Sequence, residues 1–263
     1  MANITVKTMA QYLAEGKQPE ILFWVGCAGS FDDRAKKITR AFVKILNNIG
    51  LDFAVLGTEE SCTGDPAKRA GNEFVFQMQA MMNIEVLNAY DIKKIVTTCP
   101  HCFNTLKNEY PNLGGNYDVL HHSQFLQQLI NDGKLKLEGS EVFKGKKITF
   151  QDPCYLGRGN NVYEAPRVLI EKLDAELVEM KRCKTRGLCC GAGGAQMFKE
   201  SEKGNVDINI ERTGEALEKE PNIIATGCPF CNTMMTDGVK HFEKESSVVV
   251  KDLAELVMEA KDL

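Results

Sequence analysis

The cysteines of this chain repeat. Cys154, Cys190, Cys228 and Cys231 follow Cys27, Cys62, Cys99 and Cys102 by 127, 128, 129 and 129 positions. A register held this closely over successive cysteines marks an internal duplication, and a duplicated chain folds as two similar units. This constrains the fold more tightly than length does, because both halves must satisfy one pattern of strands, helices and thiols.

The flanking segments repeat as well. In the first half "EILFWVG" at 20–26 reads as a strand. "DRAKKITRAFVKILNNI" then places Ala35, Ile38, Ala41, Phe42, Ile45 and Leu46 at the spacing of an amphipathic helix. The strand "LDFAVLG", a loop "EESCTGD", a helix through "NEFVFQMQAMMNIEVLNAY" and the strand "KKIVTT" lead into "CPHC". The second half runs "KKITFQ", "CYLGRG", "YEAPRVLIEKL", "AELVEM", "LCCGAGG", "DINIERTGEALEK" and "PNIIATG" into "CPFC". A short helix is expected after each C-x2-C, then a further strand and helix in "YDVLHH" with "SQFLQQLI" and in "SSVVV" with "DLAELVMEA". Strands alternating with helices imply an α/β fold of two pseudo-repeated lobes, each a small parallel sheet flanked by helices. The expected division is an N-terminal arm at 1–19, a first lobe at 20–138 and a second at 139–263, with the boundary inside 134–145. Both lobes place cysteines where strands end, the edge at which open parallel sheets build their sites.

Composition excludes several functions. With 32 basic and 36 acidic residues and no block of like charge, the chain lacks the footprint of a nucleic-acid binder. Its longest apolar runs, such as "ILFWV", are far short of the roughly 20 residues that cross a bilayer. The first residues lack the pattern of a secretory signal, so a cytoplasmic protein is expected, with the N-terminal stretch read equally as a docking arm or a disordered terminus.

Ten cysteines in such a compartment point to metal or redox chemistry rather than to disulfides. The second lobe offers Cys154, the adjacent pair Cys189 and Cys190, and Cys228-x2-Cys231. The first offers Cys27, then Cys62 preceded by Ser61, then Cys99-x2-Cys102. A structural zinc is closed by four ligands, which suits the first lobe. Neighbouring thiols such as Cys189 and Cys190 suit a larger iron-sulfur cluster better, and dithiol exchange stays open beside both. The proline inside each C-x2-C can start a helix, which places Cys102 and Cys231 near free N–H groups that favour thiolate.

The motifs "LCCGAGG" and "TGCPFC", with "SCTGD" and "TTCPHC" in the first half, resemble the cysteine-rich CCG family. That family includes the cysteine-rich component of heterodisulfide reductase and related iron-sulfur oxidoreductases of lactate, glycerol-3-phosphate and electron-transfer-flavoprotein to quinone pathways. The likeness spans about residues 20–260, and the "SCTGDP" form is closest to the quinone-linked and flavoprotein-linked members. The resemblance implies a noncubane 4Fe-4S cluster on Cys154, Cys189, Cys190, Cys228 and Cys231, with Cys189 and Cys190 as the catalytic pair. It implies a second centre on Cys27, Cys62, Cys99 and Cys102, where Ser61 replaces one cysteine: a cubane 4Fe-4S cluster, with 3Fe-4S or zinc as alternatives.

The function so implied is an electron-transfer or catalytic subunit of an oxidoreductase complex, heterodisulfide reductase-like, cytoplasmic or held at the inner face of the membrane through a partner. The expected partners are a ferredoxin-like iron-sulfur protein, membrane-anchored and quinone-linked in some relatives, and a flavoprotein donor. A thiol-disulfide reductase acting on a small disulfide and a zinc-stabilised interaction protein are the rival readings. Three further positions stand out: Cys183 reads as a free thiol, His121-His122 as a helix-start or surface pair, and His101 as a residue that tunes the centre through a hydrogen bond.

Overall fold

The computed structural model describes residues 4–137, 141–200 and 203–263. The first half runs β1 (Lys7–Thr8), α1 (Met9–Ala14), β2 (Ile21–Trp24), α2 (Gly26–Phe31), α3 (Asp33–Asn48), β3 (Phe53–Val55), α4 (Asp65–Arg69), α5 (Glu73–Ala89), β4 (Lys94–Thr97), α6 (Pro100–Asn104), β5 (Asp118–His121) and α7 (His122–Asn131). The second runs β6 (Lys147–Gln151), α8 (Glu164–Glu171), β7 (Glu176–Leu177), α9 (Ile208–Leu217), β8 (Ile223–Thr226), α10 (Pro229–His241), β9 (Val249–Asp252) and α11 (Leu253–Ala260). The sheets are ordered β1-β3-β2-β4-β5 and β7-β6-β8-β9, and their paired strands are parallel. The α/β architecture in two related lobes is therefore the one expected.

Local chemistry accounts for the elements. The central strand β2 reads ILFW and is buried throughout, as a parallel strand covered on both faces must be. Helix α3 buries Ala35, Ile38, Ala41, Phe42, Ile45 and Leu46 on one face, and Asp32 caps it by accepting from the Ala35 amide at 2.7 Å.

Some elements differ from expectation. The strand sought in "SSVVV" lies a few residues later, at Val249–Asp252, where it is in register with β8. β7 keeps only two residues, because the chain soon leaves the sheet edge for the cysteine loop. The helix after the second C-x2-C, expected to be short, runs 13 residues, whereas α6 gives way to a π-helical stretch at Thr105–Glu109. The 1–19 segment is not a free arm over 7–14: β1 pairs with β3, and α1 buries Met9 and Tyr12, so the first sheet gains a strand without counterpart in the second. The expected boundary at 138/139 lies outside the described residues, while Leu135, Leu137 and Phe143 on either side of it are buried in the core.

That core joins the lobes. One apolar cluster takes Phe42, Leu46, Leu126 and Leu129 from the first half and Ile148, Phe150, Leu169, Leu253 and Leu256 from the second. α3 packs on α11, and α7 packs on α8. Since α3 corresponds to α8 and α7 to α11, one contact is made twice around a pseudo-two-fold axis, the arrangement of a symmetric dimer written into one chain. Arg34 on α3 closes it with an ion pair to Glu255 on α11 at 2.6 Å.

The topology also places the thiols. From β2 the chain crosses to β3 on one side and then to β4 on the other, so a crevice opens at the carboxyl ends of β2 and β4. Cys27 follows β2 and Cys99 follows β4; in the second sheet Cys154 follows β6 and Cys228 follows β8.

Candidate functional site

Nine cysteines gather at these two crevices, in an order set by burial. Cys99, Cys102, Cys190, Cys228 and Cys231 are buried, whereas Cys27, Cys62, Cys154 and Cys189 are partly open to the surface. Cys99 and Cys228 occupy the positions just before α6 and α10, with Pro100 and Pro229 opening each helix. Side-chain contacts link Cys27 to Cys62, Cys99 to Cys102, Cys154 to Cys189, and Cys228 to Cys231. The Sγ atoms of Cys190 and Cys231 are 3.2 Å apart. One further contact crosses between lobes, from Cys99 to Cys228. These two residues are equivalent by the repeat, so the pseudo-two-fold axis passes between them, and the two cysteine sites form one continuous group.

The contacts correct the alignment of the repeat. Cys62 Sγ accepts from the Gly64 amide at 3.5 Å, and Cys189 Sγ accepts from the Gly191 amide at 3.4 Å. Both glycines have left-handed backbones, at φ 86° and 91°. Cys62 touches Cys27 as Cys189 touches Cys154. Cys62 is therefore the counterpart of Cys189, not of Cys190, at the same 127-residue offset that relates Cys27 to Cys154. The counterpart of Cys190 is Thr63, which is buried with its hydroxyl 3.9 Å from Cys102 Sγ, in the place where Cys190 meets Cys231. Ser61, expected to be the substituted ligand, instead donates its hydroxyl to Asn83 Oδ1 at 2.8 Å. Asn83 in turn donates to the Cys62 carbonyl and to Tyr110 Oη, both at 3.0 Å, and Tyr110 donates to the Thr63 carbonyl at 3.2 Å. Ser61 belongs to the scaffold of the loop.

Electrostatics favour thiolate at the two equivalent outer positions. The hydrogen bond from Cys154, outweighing burial, lowers Cys189 to about 2, and the bond from Cys27 lowers Cys62 to about 7. Cys27 and Cys154 move up as the corresponding donors. His101 lies between the lobes. Its Nδ1 is 2.8 Å from Asp65 Oδ2, and its ring meets the edges of Tyr155 and Phe230. Burial opposes the charged ring, but Asp65 and the nearby Cys99 and Cys189 outweigh it, so its pKa lies above the ordinary value. Glu60, which sequence reasoning passed over, accepts from the amides of Val25 and Gly26 at 3.0 and 2.5 Å and so holds the turn that presents Cys27. Desolvation raises its carboxyl to about 7.

The remaining candidates separate cleanly. Cys183 is partly buried, with Glu179, Arg167, Asp152 and Arg186 as its charged neighbours and no other thiol among them; burial pushes its own thiol up. It is not brought into the group. His121 and His122, expected at a helix start or on the surface, do begin α7 but are fully buried at the lobe interface.

Among the described residues no three His, Cys, Asp or Glu side chains converge as a single bound ion requires. The thiols stand in pairs and short chains around two crevices, a donor set of the kind that thiolate-bound metal groups use.

The cysteine-rich domain (CCG) family model matches twice, over residues 21–107 and 148–236. The chain belongs to this family. It is 44% identical over 264 aligned residues to "EtfAB:quinone oxidoreductase" of Syntrophomonas wolfei subsp. wolfei, covering 98% of this chain and 37% of that protein. It is 35% identical over 255 residues to a component of the dihydromethanophenazine:CoB--CoM heterodisulfide reductase of Methanosarcina barkeri, covering 93% of this chain and 59% of that protein. The chain thus spans little more than a third of the first of these relatives and under two thirds of the second. Glutamate racemase RacE1 of Bacillus anthracis aligns over 92% of this chain and 79% of its own at 15% identity, with a TM-score of 0.38, too slight a likeness to bear on function. The family match covers both lobes, and no helix among the described residues is long and apolar enough to cross a membrane.

Proposed function

We propose that the chain is the cysteine-rich electron-transfer unit of an iron-sulfur oxidoreductase and that each lobe holds one cluster. The observation that carries this reading is the continuity of the nine thiols through the Cys99–Cys228 contact. Cys154, Cys189, Cys190, Cys228 and Cys231 would hold a noncubane 4Fe-4S cluster, and Cys27, Cys62, Cys99 and Cys102 a cubane one. When bound, such clusters supply one-electron transfer at potentials set by burial and by hydrogen bonds to sulfur.

The chain's own residues supply the rest. The buried inner cysteines exclude water from the passage between the lobes, which shortens the route for an electron. Gly64 and Gly191 donate to Cys62 and Cys189, which favours the thiolate form of each, and His101 lies between the two sites with its ring on Asp65. The second site opens to the surface beside Cys154, Tyr155, Arg158 and Cys189, so Cys189, with Cys190 behind it, would meet an acceptor or a small disulfide there. A partner protein has a surface to occupy: α5 turns Phe74, Met78, Met81 and Met82 to solvent, an apolar stripe of the kind that interfaces cover. By the family resemblance drawn from the cysteine motifs, that partner would be a ferredoxin-like protein linked to quinone or a flavoprotein, and membrane association would come through it.

The test is anaerobic purification with assay of iron, acid-labile sulfide and zinc, followed by paramagnetic resonance of the oxidised and reduced protein. Iron and sulfide in equal amount, with two distinct signals, are expected. Zinc without iron or sulfide would replace this reading with that of a zinc-stabilised interaction protein.

A further inference from the structure

Two strand ends in this protein carry no cysteine, yet meet at the pseudo-two-fold axis. β5 ends at His121, in register with Thr97 of β4, two residues before Cys99. β9 ends at Asp252, in register with Thr226 of β8, two residues before Cys228. Each residue caps the helix that follows through a reciprocal capping box, His121 with Gln124 and Asp252 with Glu255. The repeat thus puts a histidine in one lobe where the other has an aspartate.

A buried chain of hydrogen bonds joins them. His122 Nε2 donates to Asp252 Oδ1 at 3.0 Å, and His122 Nδ1 is 3.1 Å from His121 Nε2. His121 Nδ1 accepts from the Ser123 amide at 3.3 Å and lies 2.8 Å from the Ser123 hydroxyl. An acceptor role for Nδ1 places the ring proton on Nε2, which donates to the Gly227 carbonyl at 2.9 Å and is shared with His122. The fit is close, since a Cβ on Gly227 would stand 3.3 Å from His121 Cε1. On its own lobe the ring lies against the Thr98 backbone and faces Phe103 at 6.2 Å between centroids. His121 therefore touches residues directly preceding Cys99 and Cys228, one in each C-x2-C turn.

We infer that His121 is a positioning residue for the inner pair, its neutral ring setting how far apart the two C-x2-C turns hold Cys99 and Cys228. The ring does not reach the thiols themselves. It bridges the turns that carry them, and the His122–Asp252 bond keeps it from rotating away. For electron passage the inference rests on the proposed function; for the geometry of the thiols it does not, and the experiment separates the two.

The full-length chain, free of iron and held reduced, is treated with dibromobimane, a short reagent that bridges neighbouring thiols, and the bridged peptides are quantified by mass. The Cys190–Cys231 bridge, inside one lobe, is the internal reference. Wild type and His121→Gln, whose amide nitrogen reaches the place of Nε2, should bridge Cys99 to Cys228 with equal yield relative to that reference. His121→Phe keeps a ring but no donor, and its relative yield should fall about tenfold, as expected for the loss of one buried hydrogen bond. An unchanged ratio in folded His121→Phe overturns the inference. Where circular dichroism shows that His121→Phe does not fold, Ser123→Ala, which removes the hydroxyl that orients the ring, decides by the same ratio. Iron-loaded wild type that shows no cluster signal would defeat the electron-transfer reading and leave the cross-linking result standing.

Discussion

In the second lobe the thiol behind the outer cysteine is Cys190, 3.2 Å from Cys231; in the first lobe the same place holds Thr63, its hydroxyl 3.9 Å from Cys102. Around that position both lobes keep parallel strands, a left-handed glycine after the pair and the glycine amide donating to the outer sulfur. A hydroxyl fills the volume of a thiol and satisfies a neighbouring sulfur, but its high pKa makes it a poor metal ligand. One side chain is thus enough to give the sites of duplicated lobes different numbers of thiols, five in the second and four in the first.

The scaffolds beneath the two loops also differ. In the second lobe Arg167 is buried, binds both oxygens of Asp152 at 2.9 and 3.0 Å and reaches Glu179 at 2.6 Å, while Asp152 accepts from the Lys184 amide at the start of the cysteine loop. In the first lobe the neutral Asn83 and Tyr110 do the corresponding work. A charged strut and a neutral one break with different cost.

The comparison yields predictions of decreasing size. Cys190→Thr should abolish the distinctive signal of the second lobe and leave a four-thiol spectrum like that of the first; iron-loaded variant protein read by paramagnetic resonance checks it, and a surviving signal would place the fifth ligand elsewhere. Arg167→Ala leaves Asp152 buried without its partner and should cost about 3–5 kcal/mol in denaturant unfolding. Asn83→Ala, which strips neutral hydrogen bonds, should cost only about 1–3 kcal/mol, and the reverse order would remove the contrast between the struts. The smallest effect is that of pH. Burial, then His122, holds His121 well below the ordinary histidine value, so the native ring stays neutral. Below about pH 6.5 the unfolded chain takes up a proton there that the native state does not, so stability falls as pH falls, by about 1.4 kcal/mol per unit. His121→Gln should remove that part of the slope, and parallel slopes in the two proteins would show that His121 titrates normally.

Much of the fold was legible because periodicity carries it: the apolar run of β2, the stripe of α3 and the repeated C-x2-C turns each state their element locally. The edge strand β1 was not, because "KT" has no strand signal of its own and exists by pairing with β3. At the site, matching each cysteine to the nearest one in the other half set Ser61 against Cys189. Gly64 and Gly191, which follow Cys62-Thr63 and Cys189-Cys190 at a constant offset, are the signal that sets it right. The Cys99–Cys228 contact, the Glu60 cap and the His121 bridge have no such signal. Each joins segments far apart in the chain, and only the packing of α3 on α11 and of α7 on α8 brings them together.

The most direct test of the equivalence of Thr63 and Cys190 is to make Thr63→Cys and Ser61→Cys separately, load both with iron and sulfide, and record the paramagnetic resonance of the first-lobe centre. Thr63→Cys should turn that signal toward the five-thiol type of the second lobe, while Ser61→Cys leaves it as in wild type. Conversion by Ser61→Cys with no change in Thr63→Cys would contradict the assignment.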